Sequence, residues 1–388
     1  MSSYYLSQQV QEIKPSGIRK FFDLASKMEN VISLGVGEPD FVTPWSVIEA
    51  SYHSLEQGYT AYTANAGLFE LREEISYYLE NNFDVTYSPE SQILVTVGGS
   101  QAIDLSLRAI IDPGDEVIIV EPCFVAYSPI VSLAGGVPVT VSATNDNAFK
   151  ITAEQIEQAI TKRTKAIILC SPNNPTGAVL SKEDLTSIAA VVRKHDLLVI
   201  SDEIYAELSY DDKAPSVASI NGMKERTIVV TGFSKAFAMT GWRLGYTVGP
   251  EKIIQAMLKI HQYTMMCAPT MAQHGALEAL RNGRKSVQEM KTSYRQRRNF
   301  VVKALNEMGL SCHLPGGAFY VFPSIKATGM SSEEFAQRLL EEERVAVVPG
   351  DVFGESGEGY IRCSYATSIK QLDQAMKRMS RFVEKYTK

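Results

Sequence analysis

Five short apolar runs limit what this chain can fold into. They occupy residues 93–97, 116–120, 165–169, 197–200 and 228–230. None is long enough for a helix, and each is apolar at nearly every position, not at every second one. A strand with one wet face alternates; a strand covered on both faces does not. Helical patterns lie between the runs, including a capping box at Ser181 and Asp184. The chain therefore reads as an α/β fold, a mostly parallel sheet flanked by helices. At 388 residues it exceeds one core, so a second domain is expected. The last third has that character: helices over 286–308 and 332–342 with short strands at 318–322, 346–348 and 360–363. A final helix opens at Ser368, with Gln371 completing a second capping box. It carries Ile369, Leu372, Met376, Met379, Phe382 and Tyr386 on one face. Further helices are expected over 18–28, 45–57 and 102–111. The division is a large domain over 46–275 and a smaller α+β domain built from 1–45 and 276–388.

Open α/β sheets bind ligands where their strands end. The first run ends at Gly98-Gly99-Ser100-Gln101, where the free N–H groups of a starting helix favour an anion. Phe124 and Tyr127 follow the second. The third leads into the stiff turn Asn173-Asn174-Pro175-Thr176-Gly177. The fourth ends at Ser201-Asp202-Glu203-Ile204-Tyr205; a carboxylate there needs a partner, or it caps a helix. The fifth feeds TGFSKAFAMTGWRLGY, residues 231–246. Gly232 permits a sharp turn and a close approach of the backbone. Lys235, fixed in a partly apolar pocket, can lose its proton and attack a carbonyl carbon. Arg243 can grip a phosphate with two parallel hydrogen bonds, helped by Ser234. Arg362 lies within an apolar strand and needs an anion, either a ligand or an internal carboxylate. Gly35-Val36-Gly37-Glu38-Pro39-Asp40 marks a close-approach loop but lacks the third glycine of a dinucleotide fingerprint.

Composition narrows the function. A net charge of −6 argues against a nucleic-acid partner, and the one basic patch, 295–298, reads as a solvated helix face. The five cysteines are scattered and odd in number, so disulfides and zinc are not expected and a reducing cytoplasm fits. The N-terminus does not read as a signal peptide, and no apolar run approaches 18 residues.

The S-K-x-F-x-M-T-G-W-R-x-G segment, with G-G-S-Q, N-N-P-T-G and S-D-E-I-Y before it in order, resembles the class I/II aminotransferases of fold type I. The likeness runs from about Gly35 to Arg362. It implies pyridoxal 5'-phosphate held as a Schiff base on Lys235. Asp202 would pair with the pyridine nitrogen, while Asn174 and Tyr205 donate to the ring oxygen. Phe124 would stack on the ring, and Gly99, Ser100, Gln101, Ser234 and Arg243 would hold the phosphate. It also implies that Gly37, Asn174 and Arg362 bind the substrate and that Tyr62 reaches the phosphate of a neighbouring subunit, which makes the active unit a homodimer. The expected reaction is ping-pong transamination between an α-amino acid and a 2-oxo acid, with 2-oxoglutarate the acceptor. Alternatives on the same fold are a C–S lyase, a decarboxylase or a cofactor-binding regulator, although the chain has no length to spare for a DNA-binding domain. Some aspartate-using relatives carry lysine where this chain has Ser100, which weakens aspartate as donor. Alanine is slightly preferred, with aromatic, methionine and diaminopimelate-type donors open. Ile18 and Tyr62 would shape the side-chain pocket.

Overall fold

The structure, a computed structural model, describes residues 5–13, 15, 17, 26 and 28–387. Seven strands form the central sheet: β1 (Ile93–Thr96), β2 (Glu116–Glu121), β3 (Val137–Ser142), β4 (Thr164–Cys170), β5 (Leu198–Asp202), β6 (Thr227–Gly232) and β7 (Gly245–Val248). Their order is β1-β7-β6-β5-β4-β2-β3. Only β7 runs against its neighbours. The other six point the same way, so their C-terminal ends open on one edge.

Burial explains why the runs lack alternation. Ile168 faces the core that contains Ile103 and Met257, from helices Gly98–Ile110 and Glu251–Thr264. Its neighbours Ile167 and Leu169 face the opposite core with Leu185, Ile188 and Val192 of helix Lys182–Lys194. Each such side chain contributes about 1.5–3 kcal/mol by leaving water. Cutting Ile168 back to alanine should cost about 2–5 kcal/mol.

Two strands escape the sequence pattern. β3 is a half-exposed edge strand that contains Pro138, which a central strand would not tolerate. β7 is fully buried but only four residues long and begins with glycine. Gly232 does not adopt a left-handed conformation; a side chain there would meet Gly245 Cα at 2.8 Å, so it is the close packing of β6 on β7 that requires glycine. The helix expected at 102–111 begins at Gly98, which puts the glycines inside its first turn.

The smaller sheets come from the two ends of the chain. Ile32–Ser33 pairs in parallel with Val345–Ala346. Val348–Pro349, Ile361–Ser364 and Tyr320–Val321 form an antiparallel sheet. The single strand expected at 346–348 is thus split at Val347 between two sheets. Helices Arg284–Glu307, Ser332–Glu343 and Ile369–Tyr386 bury their apolar stripes with these strands in one core. Ile369 is 54% exposed and stands outside that stripe. Ser181 and Asp184 form a full capping box. At Ser368 only half of one forms, because the Gln371 side chain accepts from Thr367 instead. The helix expected at 18–28 lies mostly outside the described residues. The 295–298 patch is not simply solvated: Arg298 is buried, and Arg297 pairs with Asp40 at 2.8 Å. No helix among the described residues is long and apolar enough to cross a membrane.

Candidate active site

Five strand ends converge on a cavity of about 470 Å3. Gly99 and Ser100 reach it from the end of β1, Phe124 and Tyr127 from β2, Asn174 from β4, and Asp202 and Tyr205 from β5. Ser234, Lys235 and Arg243 come from β6 and its following loop, and Gly37, Glu38, Tyr320 and Arg362 close the other side. Eleven of the fourteen residues singled out from sequence meet here. Gln101 does not line the cavity; its side chain accepts from Val97 N–H at 2.6 Å. Tyr62 is 76% exposed and lies off this chain's cavity. Ile18 lies outside the described residues.

Lys235 donates from Nζ to the Gly37 carbonyl at 2.6 Å. Its ammonium is 5.9 Å from the Phe319 ring centre and 6.0 Å from that of Tyr205. Burial is the main reason its pKa falls to about 8, and Arg362 and Arg243 add to the fall against Glu38 and Asp202. Near neutral pH a useful share of this amine is unprotonated, as a nucleophile or base requires.

Asp202 is buried at the end of β5. Tyr127 donates its hydroxyl to Oδ2 at 2.6 Å, and Ile204 N–H donates to Oδ1 at 3.2 Å. Burial raises its pKa, more than Tyr127, Ile204 and Lys235 lower it. The carboxylate would gain from a cation placed beside it. Tyr205 and Tyr320 bring their hydroxyls within 3.0 Å of each other.

Arg362 is buried in strand Ile361–Ser364 with no carboxylate bonded to it among the described residues. It donates to Asn174 Oδ1 at 3.0 Å and to the Gly35 carbonyl at 2.7 Å, and its Nε has no partner. The ring centres of Tyr320 and Phe353 lie 4.4 and 4.9 Å from the guanidinium carbon. An internal salt bridge, the alternative open at the level of sequence, is not what holds this arginine. Arg243 sits at φ 51°, a left-handed conformation that costs a non-glycine residue about 1–2 kcal/mol. This turns its guanidinium against Gly98, where any side chain would collide with it at 2.9 Å. The first turn of helix Gly98–Ile110 carries no acidic residue and no side-chain cap. That end of the cavity is therefore positive.

Sequence reasoning gave no role to Tyr127, Tyr320 or Glu38. Tyr127 stands three residues after Phe124, a spacing that places both on one side of a helical turn, and their rings meet edge to face at 5.7 Å. For Tyr320 the run 318–322 has no polar alternation, so its orientation carries no signal. Glu38 accepts from the Thr240 hydroxyl at 2.7 Å, a contact across 202 positions that no local pattern contains.

The aminotransferase class I and II family model matches residues 29–379. The chain belongs to that family. It is an aminotransferase, and the family works with pyridoxal 5'-phosphate. A Bacillus subtilis (strain 168) relative, YugH, whose name gives the aminotransferase class and no substrate, is 67% identical over 99% of both chains. A protein of Pyrococcus abyssi (strain GE5 / Orsay) named aspartate aminotransferase is 49% identical over 97% of each. The crystal structure of the aromatic aminotransferase from Pyrococcus horikoshii OT3 superposes with a TM-score of 0.90 at 46% identity, covering 95% of this chain and 99% of that one.

Proposed function

We propose that this aminotransferase moves the amino group of an aromatic or other uncharged α-amino acid to 2-oxoglutarate in a ping-pong reaction, with Lys235 as the Schiff-base lysine. The observation that carries the reading is one cavity with a depressed lysine, a desolvated aspartate and a buried arginine lacking a carboxylate. The residues present fit a phosphorylated pyridine aldehyde. The positive end at Gly99, Ser100, Ser234 and Arg243 takes the phosphate, Phe124 covers the ring, and Asp202 takes the protonated ring nitrogen. Asn174 and Tyr205 serve the ring oxygen. Gln101 is left out of this set, since it does not line the cavity and its side-chain oxygen accepts from Val97 N–H.

When bound, the cofactor supplies an aldehyde that condenses with amines and a ring that accepts electrons from the substrate's Cα. The protein does the rest. Arg362 binds the α-carboxylate, and its unpartnered Nε is a donor waiting for an acceptor. Asn174 fixes that guanidinium. Lys235, displaced by the substrate amine, takes the Cα proton on Nζ. Asp202 stays anionic and keeps the ring nitrogen protonated, while Tyr127 holds the carboxylate in place. The aromatic walls exclude water.

The donor preference rests on cations. Among the described residues, Lys235, Arg243 and Arg362 alone bring positive charge to the cavity, and all three have assignments. A distal carboxylate would face Glu38 without a cation of its own in this chain, so 2-oxoglutarate as acceptor calls for one from the neighbouring subunit of the proposed homodimer. The names of the relatives include both aromatic and aspartate aminotransferases and none for alanine; an aromatic donor, which needs no further cation, is the first reading and aspartate the second. The homodimer is part of the proposal. The segment that carries exposed Tyr59 and Tyr62 is tied to the one that carries exposed Met266 by bonds from Asn65 to the Met266 carbonyl and from Thr270 to the Ala61 carbonyl. The domain division at 45/46 and 275/276 is likewise proposed; helix Thr270–Asn282 continues beyond the second boundary before the break at Gly283. A panel of single amino donors with 2-oxoglutarate, read as the first burst of oxo acid, tests the reading. Fast bursts from phenylalanine or tyrosine support it; a burst from aspartate alone replaces it with the second reading. Pyruvate released from cystathionine with no acceptor would make the protein a lyase.

A further inference from the structure

Outside the cavity, Glu121 at the end of β2 faces a loop that is distant in sequence. The loop makes two consecutive short turns, Gly350–Phe353 and Glu355–Gly357. Glu121 lies directly on Gly354. That glycine has φ 119°, and a Cβ there would come within 2.2 Å of the Glu121 carboxyl carbon. The backbone N–H groups of Ser356 and Glu355 lie near the carboxylate and draw its pKa down, against burial. Two residues on, Cys123 N–H donates to the Phe353 carbonyl at 2.9 Å. Phe353 is 1% exposed, and its ring lies over Arg362. The carboxylate thus fastens the loop from one side, and the loop presses a ring on the guanidinium from the other.

We propose that Glu121 is a positioning residue that acts through the 353–356 loop to hold Arg362 ready for the substrate carboxylate. The proposal rests on the reading of Arg362 given above. Glu121 does not line the cavity, so it touches neither cofactor nor substrate. Its position explains a cost that packing alone does not: a half-buried carboxylate faces Glu355, and burial first and Glu355 second push its pKa up. Glycine at 354 is needed because the acid occupies the space of a side chain.

The test is kinetic. In the reconstituted enzyme, Glu121→Ala should raise KM about tenfold for the amino donor and equally for the oxo acid, since both carry the same carboxylate, with kcat changed less than about threefold. Glu121→Gln, which keeps one acceptor and the shape, should recover most of that loss. Phe353→Leu should raise KM alike, and the double variant should be no worse than the worse single one, because both act on one contact. The visible absorption of the bound cofactor should not change. Unchanged KM in Glu121→Ala, or additive losses in the double variant, would overturn the proposal, as would a changed cofactor spectrum, which would place the effect at Phe124. Should Glu121→Ala fail to fold, Glu121→Gln and Phe353→Leu still decide. Arg362→Lys separates the two readings: if its KM is normal, the assignment of Arg362 fails; if it is raised while the Glu121 variants are normal, only this proposal fails.

Discussion

Two buried arginines show what separates the cavity from the rest of the interior. Arg298, where helix Arg284–Glu307 meets the chain near 210, is 2% exposed. It bonds to Asp211 at 3.0 Å, the Pro315 carbonyl at 2.8 Å and Asn299 at 3.1 Å. Arg362 is 3% exposed and has no bonded carboxylate and an idle Nε. Burying a charge is costly, and the protein offsets that cost at one place and leaves it standing at the other. The difference teaches that a charge left unpaired within a built pocket is a binding site, whereas a paired one is structure.

Breaking each arginine should give opposite outcomes. Arg362→Leu should lower kcat/KM about a hundred- to a thousand-fold, since one side of a charged pair is removed from the complex. The melting temperature of the cofactor-free protein should hold or rise, because an uncompensated buried charge is gone. Arg298→Ala should do the reverse, costing about 1–3 kcal/mol in denaturant titrations with near-normal turnover per folded molecule, since the Pro315 carbonyl and Asn299 lose their donor. Loss of activity by Arg298→Ala at full stability would break the comparison.

Lysine chemistry sharpens it. With a pKa of about 8 against an ordinary value near 10.4, about a tenth of Lys235 is neutral at pH 7, against fewer than about one in a thousand for a solvated lysine. Capture of pyridoxal 5'-phosphate by the apoprotein should therefore rise with pH to a midpoint near 8. The stability sign follows from proton counts. Between about pH 8 and 10.5 the unfolded chain holds the lysine proton and the folded chain has lost it, so stability rises with pH across that window. Lys235→Met should flatten that rise, as followed by thermal melts at several pH values.

The smallest effect belongs to the acid beside Asp202. Glu203 faces away from the cavity, and its Oε1 accepts from Ser201, Ser216 and the Val217 N–H at 2.8–3.0 Å. Burial raises its pKa to about 7. Being raised, it favours folding while protonated and loses that contribution as pH climbs from about 4.5 towards 7. Glu203→Gln should alter kcat less than about twofold and remove this pH trend. Asp202→Asn, one position earlier and turned the other way, should cost far more activity.

How much of this was legible follows the range of the signals. Strands buried on both faces write their state into local sequence, so the sheet could be read from five apolar runs. Residues at their ends could be read as well, because a Lys, an Asp or a G-G-S after a buried strand is locally odd. β3 could not, since an edge strand with proline has no such mark. Nor could Gln101's turn away from the cavity, Tyr127's hold on Asp202 or Glu38's approach to Thr240, each of which depends on a rotamer or a distant contact. Arg298 was misjudged for the same reason: its partners lie 87 and 17 positions away.

The most direct test is chemical. The protein reconstituted with pyridoxal 5'-phosphate is reduced with borohydride, digested, and searched by mass spectrometry for the pyridoxyl-labelled lysine. The label should sit on Lys235, at one equivalent per chain, and vanish in Lys235→Ala. A label on another lysine, or none at all with the cofactor bound, would contradict the assignment of this cavity.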